Sequence, residues 1–309
     1  MNAWLIYDRE GAERNRDYIE YHHEVGARYG VTFHLVYADE LPGRISACLH
    51  GSSSGDDMGT EPGHLGACAH PDFAIVRTIA PQINEALEAE GIPTYNNSKV
   101  SRITNHKYRC IEYIAQHTDV PTIPTTLLAC PPADLHPGDV TKPVSGHGGS
   151  PDLSLIRPGD VIKPVSGHGG AGVMRVPEDG LSKVQQSLLS SGEYIRQPFI
   201  EGPGEDVRVY VIGDRIIAAV CRHARADDFR ANASLGGQIS PYHLNETETN
   251  YVNQIIHCFK FGLVGIDFII DNNNQFIFNE IEDVVGARML YKTHPEIDIL
   301  DSYIYYIIT

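Results

Sequence analysis

Between Val161 and Val173 the chain reads Val-Ile-Lys-Pro-Val-Ser-Gly-His-Gly-Gly-Ala-Gly-Val, an apolar run carrying a lysine that breaks into a glycine loop. Lys163 supplies a point charge. The loop Ser166-Gly167-His168-Gly169-Gly170 supplies successive backbone N–H donors, which together form an anion-binding nest. That combination is the chemistry of a nucleotide phosphate grip. A second lysine, Lys107, lies upstream, and Asp267, Glu280 and Glu282 lie downstream on a strand pair. Two lysines, a glycine flap and grouped carboxylates are the parts needed to hold ATP with Mg²⁺. Mg²⁺ prefers hard oxygen ligands and joins carboxylates to phosphates, and Mn²⁺ could stand in its place.

Two other phosphate motifs are excluded by context. Gly167, Gly169 and Gly172 have G-x-G-x-x-G spacing, but that fingerprint needs a helix N-terminus after the loop. Here Val173–Val176 reads as another strand, ended by Pro177, so a strand–glycine turn–strand flap is expected. No G-x-x-x-x-G-K-[ST] occurs, which removes the P-loop. An ordinary glycine hairpin remains the bland alternative for the loop alone. The segment also has a twin. Residues 137–149 repeat residues 158–170 except for Thr141 in place of Ile162, and then continue Ser150-Pro151-Asp152. Pro151 restricts the turn and removes a donor. The first copy is therefore read as a local duplication over 137–157, with the second copy functional.

Arginines punctuate the stretch between the loop and the carboxylates. Arg222, Arg230 and Asn232 are suited to holding an anion or a transferring phosphoryl group, because guanidinium grips carboxylate and phosphate in two-pronged fashion. The carboxylates themselves sit on two strands joined by the Asp271–Asn274 turn, and the pair is expected to be antiparallel. Period-two alternation puts Glu280 and Glu282 on one face. A solvent-facing acidic strand pair is the alternative there. The neighbours Phe268–Ile270 and Phe276–Phe278 argue instead for a buried sheet.

The elements that must position these residues alternate in type. Strands are expected at Trp4–Tyr7, Val31–Tyr37 and Phe73–Arg77, and helices over Glu13–Tyr29 and Pro81–Glu90, giving an open α/β region to about Asn96. Residues 43–70 show little periodicity. A helix from Ile103 to Gln116 carries Lys107. Strands follow at Glu193–Ile200, Val207–Ile212, Arg215–Cys221, Gly265–Ile270 and Gln275–Ile281, with a helix over Glu246–Phe261.

Composition bounds the class. The 309 residues carry 42% hydrophobic residues, enough for a substantial core in more than one unit. No stretch approaches the roughly 20 apolar residues of a membrane span, and the start has no secretory leader. The six cysteines include no CxxC pair, so reduced thiols and a cytoplasmic setting are expected. A formal charge of −16 argues against nucleic acid as a partner. Cys48, His50, His64, Cys68 and His70 are zinc-ligand types, but their spacing fits no usual finger, and no structural zinc is expected.

Taken in order, Lys107, Lys163 with its glycine loop, Gln197-Pro198-Phe199-Ile200, Asp206-x-Arg208, Arg222, Phe229-Arg230-x-Asn232-x-x-x-Gly236-Gly237, Asp267 and Glu280-x-Glu282 resemble the ATP-grasp superfamily. Within it the sequence looks most like the RimK-type amino-acid ligases and the glutathione synthetase group, over about residues 95–290. The resemblance implies an ATP-grasp fold of mixed α/β (α+β) class. Its parts would be a pre-ATP-grasp domain over 1–95, a lid subdomain over 96–200 and a C-terminal subdomain with antiparallel strands over 201–309. It implies that Lys107 and Lys163 bind ATP phosphates, that Gln197, Pro198, Phe199 and Ile200 form a hinge against adenine, and that Glu205 or Asp206 meets the ribose. Asp267 and Glu280 would hold Mg²⁺, while Arg222 and Arg230 would handle an acyl phosphate or an acceptor carboxylate. The family commonly has Glu-x-Asn where this chain has Glu280-Ile281-Glu282. The implied reaction is ATP-dependent joining of a carboxylate to an amine on an amino acid or peptide, with ADP and phosphate released. A ring-closing ligase and an ATP-binding module without turnover are the rivals, and a homo-oligomer is compatible with all three.

Overall fold

A computed structural model describes residues 1–50, with side chains to 45, together with 70–128, 153–167, 170–190, 192–224 and 238–309. Three sheets organise these residues. In the first, β1 (Asn2–Tyr7), β2 (Thr32–Tyr37), β3 (Phe73–Val76) and β4 (Thr94–Tyr95) run parallel in the order β2-β1-β3-β4. Parallel neighbours need crossovers. Those are α1 (Arg9–Arg14), α2 (Arg16–Arg28), α3 (Leu41–His50) and α4 (Pro81–Ala89). Because β1 is covered on both faces, Ala3 to Tyr7 are all buried: Leu5 and Tyr7 face one core, Trp4 and Ile6 the other.

The expected helix over Glu13–Tyr29 is in fact two. Its break falls at Asn15, whose Nδ2 donates to the Gly11 carbonyl at 2.8 Å, a side-chain bond that competes with the helix ladder. The early part of the 43–70 stretch, read as aperiodic, is helical as α3. There Leu41 and Ile45 pack beside Trp4 and Leu87, so tertiary burial decides what local pattern does not. His64 and Cys68 lie outside the described residues, as do the side chains of Cys48 and His50. His70 is exposed.

Helices α5 (Ser98–Thr104) and α6 (Lys107–His117) come next, followed by the second sheet. It comprises β5 (Thr126–Leu127), β6 (Val161–Pro164), β7 (Met174–Arg175) and β8 (Tyr194–Gln197), antiparallel in the order β5-β8-β6-β7. Helix α7 (Lys183–Leu189) lies beside it, and Leu128, Ile162, Val176 and Leu189 form its core. The first copy of the duplicated segment, through 152, lies outside the described residues.

The third sheet is antiparallel throughout. It takes β9 (Glu205–Ile212), β10 (Arg215–His223), β11 (Gln238–Tyr242), β12 (Leu263–Ile270) and β13 (Phe276–Glu282) in the order β11-β10-β9-β12-β13. Val207, Val209, Ile266, Phe268 and Phe278 pack on one face, with Cys110 and Ile111 of α6 and Val252 of α8 (Glu246–His257). The opposite face sends Tyr210, Ile212 and Leu263 into the core shared with the first sheet, α9 (Arg288–Thr293) and α10 (Ile299–Ile308). Among the described residues no helix is long and apolar enough to cross a membrane.

Candidate active site

The helix expected over Ile103–Gln116 breaks at Asn105–His106, so Lys107 is the first residue of α6 and stands at its end. Its backbone N–H donates to the Val165 carbonyl at 2.8 Å, which ties α6 to the end of β6. Its Nζ donates to the Gly167 carbonyl and to Glu280 Oε2, both at 2.7 Å. Lys163 arrives from β6, where pairing of Val161 with Gln197 puts Val161, Lys163 and Gln197 on one face. Lys163 Nζ donates to Asn279 Oδ1 at 2.9 Å. Both lysines therefore converge on adjacent residues of β13.

Their electrostatics diverge. Burial works against the charge on Lys107, but Glu280 beside it prevails and raises its pKa. For Lys163 burial dominates. Glu280 opposes the fall and Lys107 adds to it, leaving the ammonium at about 8. Burial likewise disfavours the Glu280 carboxylate, yet Lys107 holds its pKa below the ordinary value.

Behind them stands a buried ion network. Asp267, 1% exposed, receives Arg208 Nε on Oδ1 at 2.8 Å and Arg208 Nη2 on Oδ2 at 2.7 Å. Arg222 Nη2 donates to the same Oδ2 at 2.7 Å, and Arg222 also grips Asp206 through Nε and Nη2. Burial would raise the Asp267 pKa, but the two guanidiniums hold it far below the usual carboxylate range. Glu282 pairs with Arg208 Nη1 at 2.8 Å. One oxygen from each of Asp267, Glu280 and Glu282 falls within 4.8 Å of the others. An all-oxygen set of this kind suits a hard divalent cation.

A β-bulge builds that set. Asp267 pairs with Glu280 but Phe268 pairs with Phe278, so Asn279 is the extra residue on β13. Strict alternation would put Phe276, Phe278, Glu280 and Glu282 on one face. The bulge resets the parity, sending the phenylalanines to the core and the glutamates to the site. It also turns Asn279 toward Lys163. The sequence reading missed Asn279 as a site residue and quoted Arg208, within Asp206-x-Arg208, without its partner Asp267. The clash of apolar and acidic residues at equal parity was the available signal.

Lys107, Lys163, Asn279 and Glu280 line a cleft of about 1090 Å³, counting its open mouth. Gly167, Gly170 and Lys107 stand on one side and Pro198, Phe199 and Ile200 on another, with Glu205, Asp206 and Arg222 in the wall. Gly202 closes the turn after Ile200. A Cβ built there would lie 2.1 Å from the Ile270 carbonyl oxygen, so only glycine lets the turn pack so closely. Arg175 lies over the Phe199 ring, 4.0 Å from its centroid. Gln197 donates through Nε2 to Thr125 Oγ1 at 2.9 Å, while its buried Oε1 has no partner among the described residues. Ser166 is exposed on the loop, outside the cleft lining. His168, Gly169, Arg230 and Asn232 lie outside the described residues.

A family model described as the RimK-like ATP-grasp domain matches residues 104–307. The chain belongs to the RimK-like ATP-grasp family. An uncharacterized protein of Mycoplasma pneumoniae, the MG011 homolog, is 26% identical over 204 residues, 66% of this chain and 63% of that protein. A probable alpha-L-glutamate ligase of Haemophilus ducreyi is 26% identical over 211 residues, 67% of this chain and 64% of that one. The chain thus spans less than two thirds of the length of these curated relatives. Among solved structures, a RimK domain ATP-grasp protein from Sphaerobacter thermophilus superposes with TM-score 0.65 at 13% identity, over 100% of both chains. A D-alanine–D-alanine ligase from Bacillus anthracis complexed with ATP gives 0.62 at 14%, over 100% of this chain and 96% of that one. At such identities the likeness is one of fold, and the ATP-grasp architecture expected from sequence is the one found.

Proposed function

We propose that this chain is an ATP-dependent carboxylate–amine ligase that works on an amino acid or peptide through an acyl phosphate. One observation carries the reading. A single cleft joins two converging lysines at one end to an unpartnered, buried Gln197 acceptor at the other. Phosphate oxygens would take over the donors that Lys107 and Lys163 now spend on Gly167, Glu280 and Asn279. The adenine amino group would supply the donor that Gln197 Oε1 lacks, beside Pro198, Phe199 and Ile200. Glu205 or Asp206 would meet the ribose. Asp267, Glu280 and Glu282 would hold Mg²⁺, which when bound neutralises phosphate charge.

The chemistry needs no protein nucleophile. The substrate carboxylate oxygen attacks the γ-phosphorus, and the bond to the leaving ADP breaks. An amine then attacks the acyl carbon, phosphate departs, and the amine releases a proton. The protein contributes position and charge. Lys163 and Lys107 hold the phosphates, and Arg222, with Arg230 and Asn232, is assigned to the acyl phosphate and the acceptor. Within this reading, residues 1–95, 96–200 and 201–309 serve as pre-grasp, lid and C-terminal parts. The relatives named as glutamate ligases support an amino-acid substrate class.

The test is a screen of amino acids and short peptides for ATP-dependent phosphate release, with mass spectrometry of products. ADP and phosphate should accumulate when both a carboxylate and an amine are supplied, together with a condensed product. Tight ATP binding without turnover across the whole panel would leave an ATP-binding module instead.

A further inference from the structure

On the face of the third sheet turned away from Arg222 and Asp206, another constellation forms. Antiparallel pairing sets His223 opposite Glu205, and Cys221 opposite Ser240 on β11. Cys221 and His223, two apart on one strand, share that face by period-two alternation. One ligand atom each from Glu205, Cys221 and His223 falls within 4.8 Å of the others. His223 Nδ1 is 3.1 Å from Glu205 Oε1, and its Nε2 is 3.2 Å from Ser240 Oγ.

We propose that Glu205, Cys221 and His223 form a binding site for a zinc-class transition-metal ion, separate from the all-oxygen carboxylate set. The donor types decide the class, because sulfur, imidazole nitrogen and carboxylate together select zinc over magnesium. The spacing fits as well. Two ligands bonded at about 2.0 Å with a tetrahedral angle lie roughly 3.3 Å apart, close to the observed Nδ1–Oε1 separation. Ser240 accepts the Nε2 proton, which orients the ring and turns the Nδ1 lone pair toward the other two ligands, as partners of metal-bound histidines do. A hydrogen bond between His223 and Glu205 accounts for two of these groups. It leaves the buried Cys221 sulfur with a 4.0 Å contact to the Arg222 carbonyl, at the long limit of a sulfur hydrogen bond.

The Cys221 thiol is pushed up to about 12 by burial and by the nearby Glu205 and Asp206 charges, so it is protonated without metal. Binding exchanges the S–H bond for an S–metal bond and releases one proton to solvent. His223 and Glu205 are each about a third exposed, which leaves an approach for the ion and a position for a water ligand. Because Glu205 also lines the nucleotide cleft, an ion here would tie the start of β9 to the end of β10 at the cleft wall.

The test uses the full chain, stripped with chelator and given one equivalent of Co²⁺ in excess Mg²⁺ without ATP. The expected result is the visible ligand-field spectrum of tetrahedral cobalt with a sulfur-to-cobalt charge-transfer band, both bleached by Zn²⁺. Cys221→Ser should abolish the charge-transfer band, and His223→Ala should weaken Co²⁺ binding about tenfold or more. Cys258→Ala should keep both features. Circular dichroism on each variant reports folding, and the partly exposed His223 keeps the test informative if Cys221→Ser does not fold. Absence of a charge-transfer band in the wild type, or its survival in folded Cys221→Ser, overturns the site. Neither outcome depends on turnover, so the ligase reading stands or falls separately.

Discussion

Arg208 holds Asp267 by both carboxylate oxygens, at 2.8 and 2.7 Å, in a wall where the carboxylate is 1% exposed. Arg222 shares one of those oxygens. The aspartate is therefore a keystone of the fold as well as a candidate metal ligand. Asp267→Asn leaves two buried guanidiniums short of a counter-charge, a change that costs about 3–5 kcal/mol when a buried pair is broken. Urea unfolding should show a fall of that size alongside lost turnover. A stable, inactive variant would assign Asp267 to metal binding alone.

Glu280→Gln should behave differently, because its partner Lys107 can keep its bond to the Gly167 carbonyl. Turnover should drop on the order of 10²-fold or more with little change in melting temperature. Glu282→Asn removes one acceptor from Arg208 but leaves Asp267 in place, so its effect should be milder in steady-state assays at saturating Mg²⁺.

Lys163 makes a prediction about the duplicated segment. It is anchored in β6 and pairs across to β8, with the sheet core beneath it. Lys163→Ala should weaken ATP binding by on the order of 2 kcal/mol, measured calorimetrically. Lys142→Ala, or deletion of 137–152, should leave it unchanged, with 153–157 kept because Leu153 and Ile156 pack against that core. The reverse pattern would make the first copy the working loop.

The same lysine should make ATP affinity depend on pH. Burial brings the free ammonium to about 8, whereas a phosphate partner needs it charged. Affinity should hold below pH 8 and fall above it, by up to about tenfold per unit, because binding must then take up a proton. Lys163→Arg stays cationic over this range and should flatten the profile. An unaltered slope in that variant would place the titration elsewhere.

A second pH effect belongs to stability. His22 is buried, set edge-on to Tyr18 and Phe33, with Nδ1 2.6 Å from the Tyr18 carbonyl oxygen. Burial pushes its pKa down to about 3. An unfolded histidine takes its proton near 6.5, so the unfolded state binds more protons below that value. Stability should fall as pH drops from about 6.5 toward 3, by up to about 1.4 kcal/mol per unit from this group. Denaturation of His22→Leu at pH 6 and pH 4 should show a shallower loss than the wild type.

The lysine-bearing glycine loop, the segment Gln197–Ile200 and the acidic strand pair, which the structure brings to one place, were legible because each rests on short-range pattern: a lysine before glycines, an apolar run, carboxylates two apart. Sequence missed what depends on long-range pairing. Arg208 gains its meaning from β12, 59 residues on, and Lys163 from Asn279, 116 residues on. The α5–α6 break that places Lys107 at a helix start was also hidden, since Ser98–His117 carries no proline or glycine to announce it.

The bulge at Asn279 makes the site a matter of counting. Were Asn279 to take an ordinary place in the alternation, Glu280 and Glu282 would turn toward the core that holds Phe278 and Phe276, leaving Lys107 and Arg208 without their glutamates. The carboxylates would all still be present in the chain. What places them is one unpaired residue between Phe278 and Glu280, so the facing of the acidic pair is set by where the ladder skips a position and not by the letters of the strand alone.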